Sequence, residues 1–190
     1  MELYQIALEM NRAAGKEFNL LENLLIWARC QTGRIDYLPV ELDLNKIIRE
    51  VVLLFALNAA NKGIEIVMNI PVNTQVFADF NMLNTILRNL IGNSVKYTNK
   101  GGKIIIESEL LKDFLQVEIT DNGIGMSDEI KASLFKIDSQ GTTEGTAGER
   151  GSGMGLLLVK EFVNINGGTV NVESAPDKGS SFVFTLKRSQ

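Results

Sequence analysis

Apolar residues recur at steps of three and four over the first thirty positions: Leu3, Ile6, Met10, Ala13, Ala14, Phe18, Leu21, Leu24, Leu25 and Ala28. That spacing puts them on one stripe of an α-helix. No proline interrupts it and Gly33 offers a stop, so a helix is predicted from 2 to about 32. A helix of about 30 residues spans about 45 Å, more than a small domain is wide. Its stripe is therefore expected to project and take a partner helix; the alternative is a helix folded back on its own domain. Trp27 and Cys30 are expected to pack against that partner rather than to react.

Beyond the arm the pattern changes period. Pro39 to Asp43 reads as a short strand, with Asp43 capping a helix from Leu44 to Asn61 and Gly63 ending it. Glu65 to Ile70 reads as a strand, and Asp79 caps a further helix running to about Thr98. Asn99-Lys100-Gly101-Gly102 is turn chemistry. Lys103–Leu110 and Leu115–Thr120 alternate as an antiparallel pair should. A short helix is predicted at Asp128–Phe135 and another from about Gly153 to Ile165. Strands at Thr169–Ser174 and Ser181–Leu186 close the chain. The predicted fold is α+β: a two-layer α/β sandwich, with a mixed sheet of about five strands and about three helices on one face, preceded by the long helix.

Composition narrows the chemistry. With 190 residues, 45% hydrophobic and 22% charged, the chain suits one globular α/β domain plus an appendage. A net charge of −4 gives no basic field for nucleic acid or anionic lipid. The longest apolar run, Val51 to Leu57, is far short of the ~20 residues a membrane span needs, and residues 2 onward show no signal peptide. No membrane contact is expected of this segment. The single cysteine fits a reducing cytoplasm. Histidine is absent, which removes Ser-His-Asp triads, Cys-His dyads and His-ligated zinc.

Three segments carry candidate chemistry. In Asn89–Thr98 the amides of Asn89 and Asn93 lie one helical turn apart, with Lys96 three further on. An amide oxygen is a hard, neutral ligand suited to Mg²⁺, and an ammonium supports phosphate; the alternative is a solvated polar helix face. Asp121-Asn122-Gly123-Ile124-Gly125-Met126 follows a predicted strand. A carboxylate only accepts hydrogen bonds, so Asp121 suits the exocyclic N–H of an adenine, while Gly123 and Gly125 let backbone approach a flat ring. An ordinary turn is the alternative. Gly151-Ser152-Gly153-Met154-Gly155-Leu156 opens a helix, where free N–H groups and the positive dipole end favour an anion. Its spacing is neither that of a P-loop nor that of the dinucleotide fingerprint.

Together and in this order, these segments resemble the catalytic, ATP-binding domain of sensor histidine kinases. That domain belongs to the wider superfamily of gyrase, the mismatch-repair protein MutL and the ninety-kilodalton heat-shock chaperone. The resemblance covers residues about 40 to 187. Asn89–Thr98 matches the asparagine box, Asp121–Gly125 the first glycine box and Gly151–Leu156 the second. Leu134-Phe135 stands at the phenylalanine box, without its usual downstream aromatic. The resemblance implies ATP and Mg²⁺ as cofactors. Asn93 would hold the metal with Asn89 nearby, Lys96 would meet phosphate, and Tyr97 would lie against the nucleotide. Asp121 would fix adenine with help from Ser181, Met126 and Met154 would touch ligand, and residues 136–150 would form a lid.

Leu21–Arg29 looks like the second helix of the family's dimerisation and phosphoacceptor hairpin. The resemblance thus divides the chain into a partial hairpin at 1–36 and a catalytic ATP-binding domain at 37–190. It implies transfer of the ATP γ-phosphoryl to a histidine on a helix absent here, and relay to a response-regulator receiver domain. It also implies a partner helix in a homodimer and a cytoplasmic location. With no histidine the chain is not expected to phosphorylate itself, and it is expected to be a fragment of a longer kinase. The alternatives are an ATP-binding serine kinase and a nucleotide-gated clamp or ATPase. Superfamily members that hydrolyse ATP carry a glutamate four residues before the Mg²⁺ asparagine; here that position is Asn89, which has no proton affinity to activate water.

Overall fold

The fold comes from a computed structural model, which describes residues 2–136, 144–149 and 153–188. Helix α1 (Glu2–Gln31) leads to strand β1 (Pro39–Asp43) and helix α2 (Leu44–Lys62). The Asp43 carboxylate accepts from the Lys46 N–H at 3.2 Å, and Gly63, with φ of 62°, closes the far end of α2. Strands β2 (Glu65–Asn69) and β3 (Gln75–Asp79) precede helix α3 (Phe80–Tyr97). There Asp79 Oδ1 accepts from the N–H groups of Asn81 and Met82. Strands β4 (Lys103–Leu110) and β5 (Phe114–Asp121), helices α4 (Asp128–Ser133) and α5 (Gly155–Ile165), and strands β6 (Val170–Ser174) and β7 (Ser180–Lys187) follow.

Five strands form one mixed sheet in the order β2-β4-β5-β7-β6. Its β2–β4 pair is parallel and the other three pairs are antiparallel. Alternate residues of the central strands turn inward: Ile104 and Ile106, then Leu115, Val117 and Ile119, then Phe182, Phe184 and Leu186, all buried. Against them lie Leu44, Ile48 and Val51 of α2, the Leu83-Ile86-Leu87-Leu90-Ile91 face of α3, and Leu158, Val159 and Phe162 of α5. The predicted two-layer sandwich is therefore present, with α3 packed between α2 and α5.

One strand is absent from the sequence reading. Gln75–Asp79 is a strand, paired antiparallel with β1 in a separate two-stranded sheet. Only Asp79 of that strand carries a sequence signal, as a cap; the strand is too short for its alternation to stand out. At the end of α1, Ile26 and Cys30 pack, half-buried, against the chain's own core. Burial, and then the charge of Glu161, pushes the Cys30 thiol up. Phe18, Leu21, Leu24 and Leu25 of the same helix stay exposed. Among the described residues no helix is long and apolar enough to cross a membrane.

Candidate nucleotide-binding site

The inward face of α3 is apolar except for Ser94, which leaves Asn89, Asn93, Lys96 and Tyr97 on its half-buried flank. Asn89 Nδ2 donates to the Thr85 carbonyl at 2.8 Å. Its amide oxygen lies against Gly155, where a Cβ would collide with it, so any side chain at 155 would force the Asn89 amide to move. One turn on, Asn93 forms no side-chain hydrogen bond with any described residue. Lys96 Nζ donates to the Tyr97 hydroxyl at 2.8 Å and stands 4.5 Å from the centre of that ring.

The second half of the site is the end of β5. Asp121 falls on the inward face, 5% exposed, and its Oδ1 accepts from the Gly123 N–H at 3.0 Å. Burial raises its carboxyl above the usual carboxylate range, against the opposing pull of the Gly123 and Ser180 N–H groups and the Ser94 hydroxyl. Ser94 stands near the carboxylate yet outside hydrogen-bond geometry, so its Oγ is buried without a partner. Thr98 Oγ1, one turn along, is in the same state. Buried hydroxyls are seldom left unmatched. An orphaned hydroxyl beside a buried acceptor fits a polar ligand such as adenine, and the free Asn93 amide fits a hard cation or its waters.

The two halves are joined through the main chain, since the Ile124 N–H donates to the Tyr97 carbonyl at 3.1 Å. The glycines of the Asp121 loop serve this closure. A Cβ on Gly123 would strike the Tyr97 carbonyl, one on Gly125 the Ala175 carbonyl, and one on Gly179 the Asp121 carbonyl. Gly125 and Gly179 also hold φ of 63° and 79°. The space on the Cβ side of Gly123 and Gly125 is thus filled by the chain's own backbone.

Ser181 turns its hydroxyl away from Asp121. It pairs with Thr120 in the β5–β7 register, on the outward face, and its hydroxyl donates to Glu118 at 2.6 Å. Ser180 is the residue opposite Asp121, and it acts through its backbone N–H. Helix α5 starts at Gly155, two residues later than predicted, with Met154 at its N-cap and no side-chain cap. Its first N–H groups thus receive no hydrogen bond from the N-cap side chain. Gly153 takes a positive φ of 76°, Met154 is buried, and Met126 and Leu156 are packed at the edge of the core. Gly151, Ser152, residues 137–143 and Arg150 lie outside the described residues. Helix α4 ends at Ser133, short of Phe135, whose ring lies 5.9 Å from Lys160 Nζ. The sequence pattern singles out neither Ser180 nor Lys62, a buried cation held by Thr146 and Glu149.

A sequence profile describing the histidine kinase-, DNA gyrase B- and HSP90-like ATPases matches residues 78–190. The chain belongs to this family. Its similarity is to the sensor kinases within it. Over 183 residues it is 29% identical to the signal transduction histidine-protein kinase BarA of Escherichia coli, covering 93% of this chain and 20% of that protein. It is 31% identical over 175 residues to the autoinducer 2 sensor kinase/phosphatase LuxQ of Vibrio harveyi, covering 88% of this chain and 20% of LuxQ. The chain thus spans about a fifth of those relatives' length.

Among solved structures, full-length ShkA in complex with AMPPNP superposes with a TM-score of 0.80 at 26% identity, over 97% of this chain and 39% of that one. The catalytic domain of histidine kinase ThkA gives 0.68 at 27%, over 81% of this chain and 97% of the domain. Fold and sequence relation together identify the sandwich as the ATP-binding catalytic domain of a sensor histidine kinase.

Proposed function

We propose that this chain positions ATP and Mg²⁺ so that the γ-phosphoryl group passes to a histidine on a separate helix, for relay to the aspartate of a response regulator. The bond from the γ-phosphorus to its bridging oxygen breaks, an N–P bond to imidazole forms, and ADP leaves. One observation carries the reading. A buried carboxylate, Asp121, with an orphaned hydroxyl beside it, is tied by main chain to the end of a helix that carries a free amide and an ammonium.

In this reading Asp121 accepts from the adenine N–H, and Tyr97 lies against the nucleotide. Lys96 and the N–H groups at the start of α5 meet the phosphates. Asn93 would hold Mg²⁺, which supplies charge neutralisation at the phosphates when bound. Asn89 is an amide already donating to Thr85, so no general base stands where a hydrolase needs one. This favours phosphoryl transfer over the ATPase and clamp readings. The protein's part is positioning and electrostatics. Residues 37–190 form the catalytic unit, and 1–36 contribute half of a dimerisation hairpin. Its exposed Phe18, Leu21, Leu24 and Leu25 would cover a partner helix in a homodimer, on the cytoplasmic side.

The test is calorimetric titration with a non-hydrolysable ATP analogue, with and without Mg²⁺, followed by ATP and a supplied histidine-bearing hairpin. Mg²⁺-dependent binding and acid-labile phosphohistidine on the hairpin are expected. Tight binding with no transfer, or with transfer to serine, would sink the kinase reading.

A further inference from the structure

The C-terminal root of the lid is fastened to the end of α3 by one buried charge. Lys62, the last residue of α2, is 7% exposed, and its ammonium meets four oxygens. It donates to the Val95 and Lys96 carbonyls at 2.9 Å each and to Thr146 Oγ1 at 2.7 Å, and it pairs with Glu149 Oε1 at 2.8 Å. The two carbonyls belong to the last turn of α3, where a cation is favoured by the helix dipole. The other two oxygens belong to the lid.

Residues 145–149 form a closed turn. The Gly145 N–H donates to the Glu149 carbonyl at 2.7 Å, the Gly148 N–H to the Gly145 carbonyl at 3.0 Å, and the Ala147 N–H to Glu149 Oε2 at 2.8 Å. That turn sits on the main chain of the phosphate end. The Thr146 N–H donates to the Lys96 carbonyl at 3.1 Å, its hydroxyl donates to the Thr98 carbonyl at 2.8 Å, and a Cβ on Gly145 would press on the Lys96 side chain. Burial tends to raise the Glu149 carboxyl. The Lys62 ammonium, together with backbone N–H groups, outweighs it and holds the group below the usual range.

We propose that Lys62, Thr146 and Glu149 form a latch that registers the lid root against Lys96, which makes Lys62 a positioning residue for the nucleotide's phosphates. The proposal rests on the nucleotide reading given above. A buried ion pair adds little net stability over an apolar pair, and removing one partner leaves the other's charge uncompensated unless further hydrogen bonds hold it. The latch touches the phosphate end and leaves the Asp121 end alone. Its loss should therefore weaken a triphosphate and spare a monophosphate.

The test uses Glu149→Gln and Thr146→Val in the full chain. Both leave Lys62 its two α3 carbonyls and so keep the buried charge solvated. Lys62→Met is a third arm, read only if its thermal melt stays cooperative. Hydrogen exchange of the Gly145 and Thr146 amides is measured without nucleotide. Calorimetry then compares a non-hydrolysable ATP analogue with AMP, both with Mg²⁺.

Faster exchange at both amides is expected, with ATP-analogue affinity down about tenfold and AMP affinity unchanged. Unchanged exchange overturns the latch whatever the ligand does. Faster exchange with equal losses for ATP analogue and AMP, or with no loss at all, overturns the positioning role. If wild type binds neither nucleotide, the functional reading fails and the positioning role with it, an outcome recognisable because the wild-type titrations are flat before any variant is compared.

Discussion

At the Asp121 end of the site each position is fixed by main chain, whereas at the α3 end the ligand would be met by side chains on one half-buried flank. Asp121 is held by the Gly123 N–H, and the loop beneath it is closed by backbone packing on Gly123, Gly125 and Gly179. Lys96 reaches its neighbour Tyr97, and Asn93 has an unengaged amide. The base end is thus preorganised and tolerates no added atom. The phosphate end is adjustable, and its order is borrowed from the lid root. Preorganised parts give specificity, whereas an adjustable end has to be ordered before transfer, because only groups already aimed at the developing charge stabilise it without reorganisation.

The comparison can be broken first at the glycines. Gly125→Ala and Gly179→Ala each combine a positive φ with a collision against a backbone carbonyl, so each should lower unfolding free energy by about 3 kcal/mol in urea titration. A cost near 1 kcal/mol would mean that the loop yields. Asp121→Asn comes next. It should weaken the ATP analogue by about 100-fold, because an acceptor for the adenine N–H becomes an amide that must choose between roles. The unliganded variant should be no less stable, since a buried charge has been removed.

Acid sharpens the same point. The folded-state pKa of Asp121 lies above its ordinary value, so the folded protein takes up this proton more readily than the unfolded chain. Its contribution to stability therefore rises as pH falls through the raised pKa and declines as pH climbs from the unfolded value to the folded one. Binding runs the other way, because the ionised form is the acceptor. Affinity should fall on acidification in wild type, and the Asp121 part of that fall should vanish in Asp121→Asn.

At the adjustable end, Lys96→Ala should lower ATP-analogue affinity about tenfold and leave AMP within twofold, as loss of one partly solvated phosphate contact would. Smallest of all is Ser181→Ala, whose hydroxyl faces away from the site; nucleotide affinity should change by less than about twofold, within the usual range for surface changes.

The sequence made the fold legible where one residue has one local job. Asp43 and Asp79 mark helix starts, Gly63 marks a stop, and the alternation of residues 115–120 marks a strand whose inward face ends on Asp121. It failed where a role depends on what lies across the fold. Ser180 and Ser181 differ by one step in a period of two, and only pairing with β5 decides which of them faces Asp121. The glycines near Asp121 are plain in the sequence, but what fills the space beside them comes from residues 97 and 175, remote along the chain. Lys62 reads as an ordinary basic residue in a last helical turn. Its partners at 146 and 149 lie far along the chain, inside a segment that shows only as glycine-rich polarity.

The parallel pairing of β2 with β4 has a consequence for folding. Parallel neighbours cannot be joined by a hairpin; the chain between them is β3 and α3, which includes Asn89, Asn93, Lys96 and Tyr97. That pair can zip only once the crossover has been laid over the sheet, a non-local step of the kind that slows folding. Laying α3 over the sheet, and with it the side chains of the phosphate end, therefore has to come before β2 can join β4.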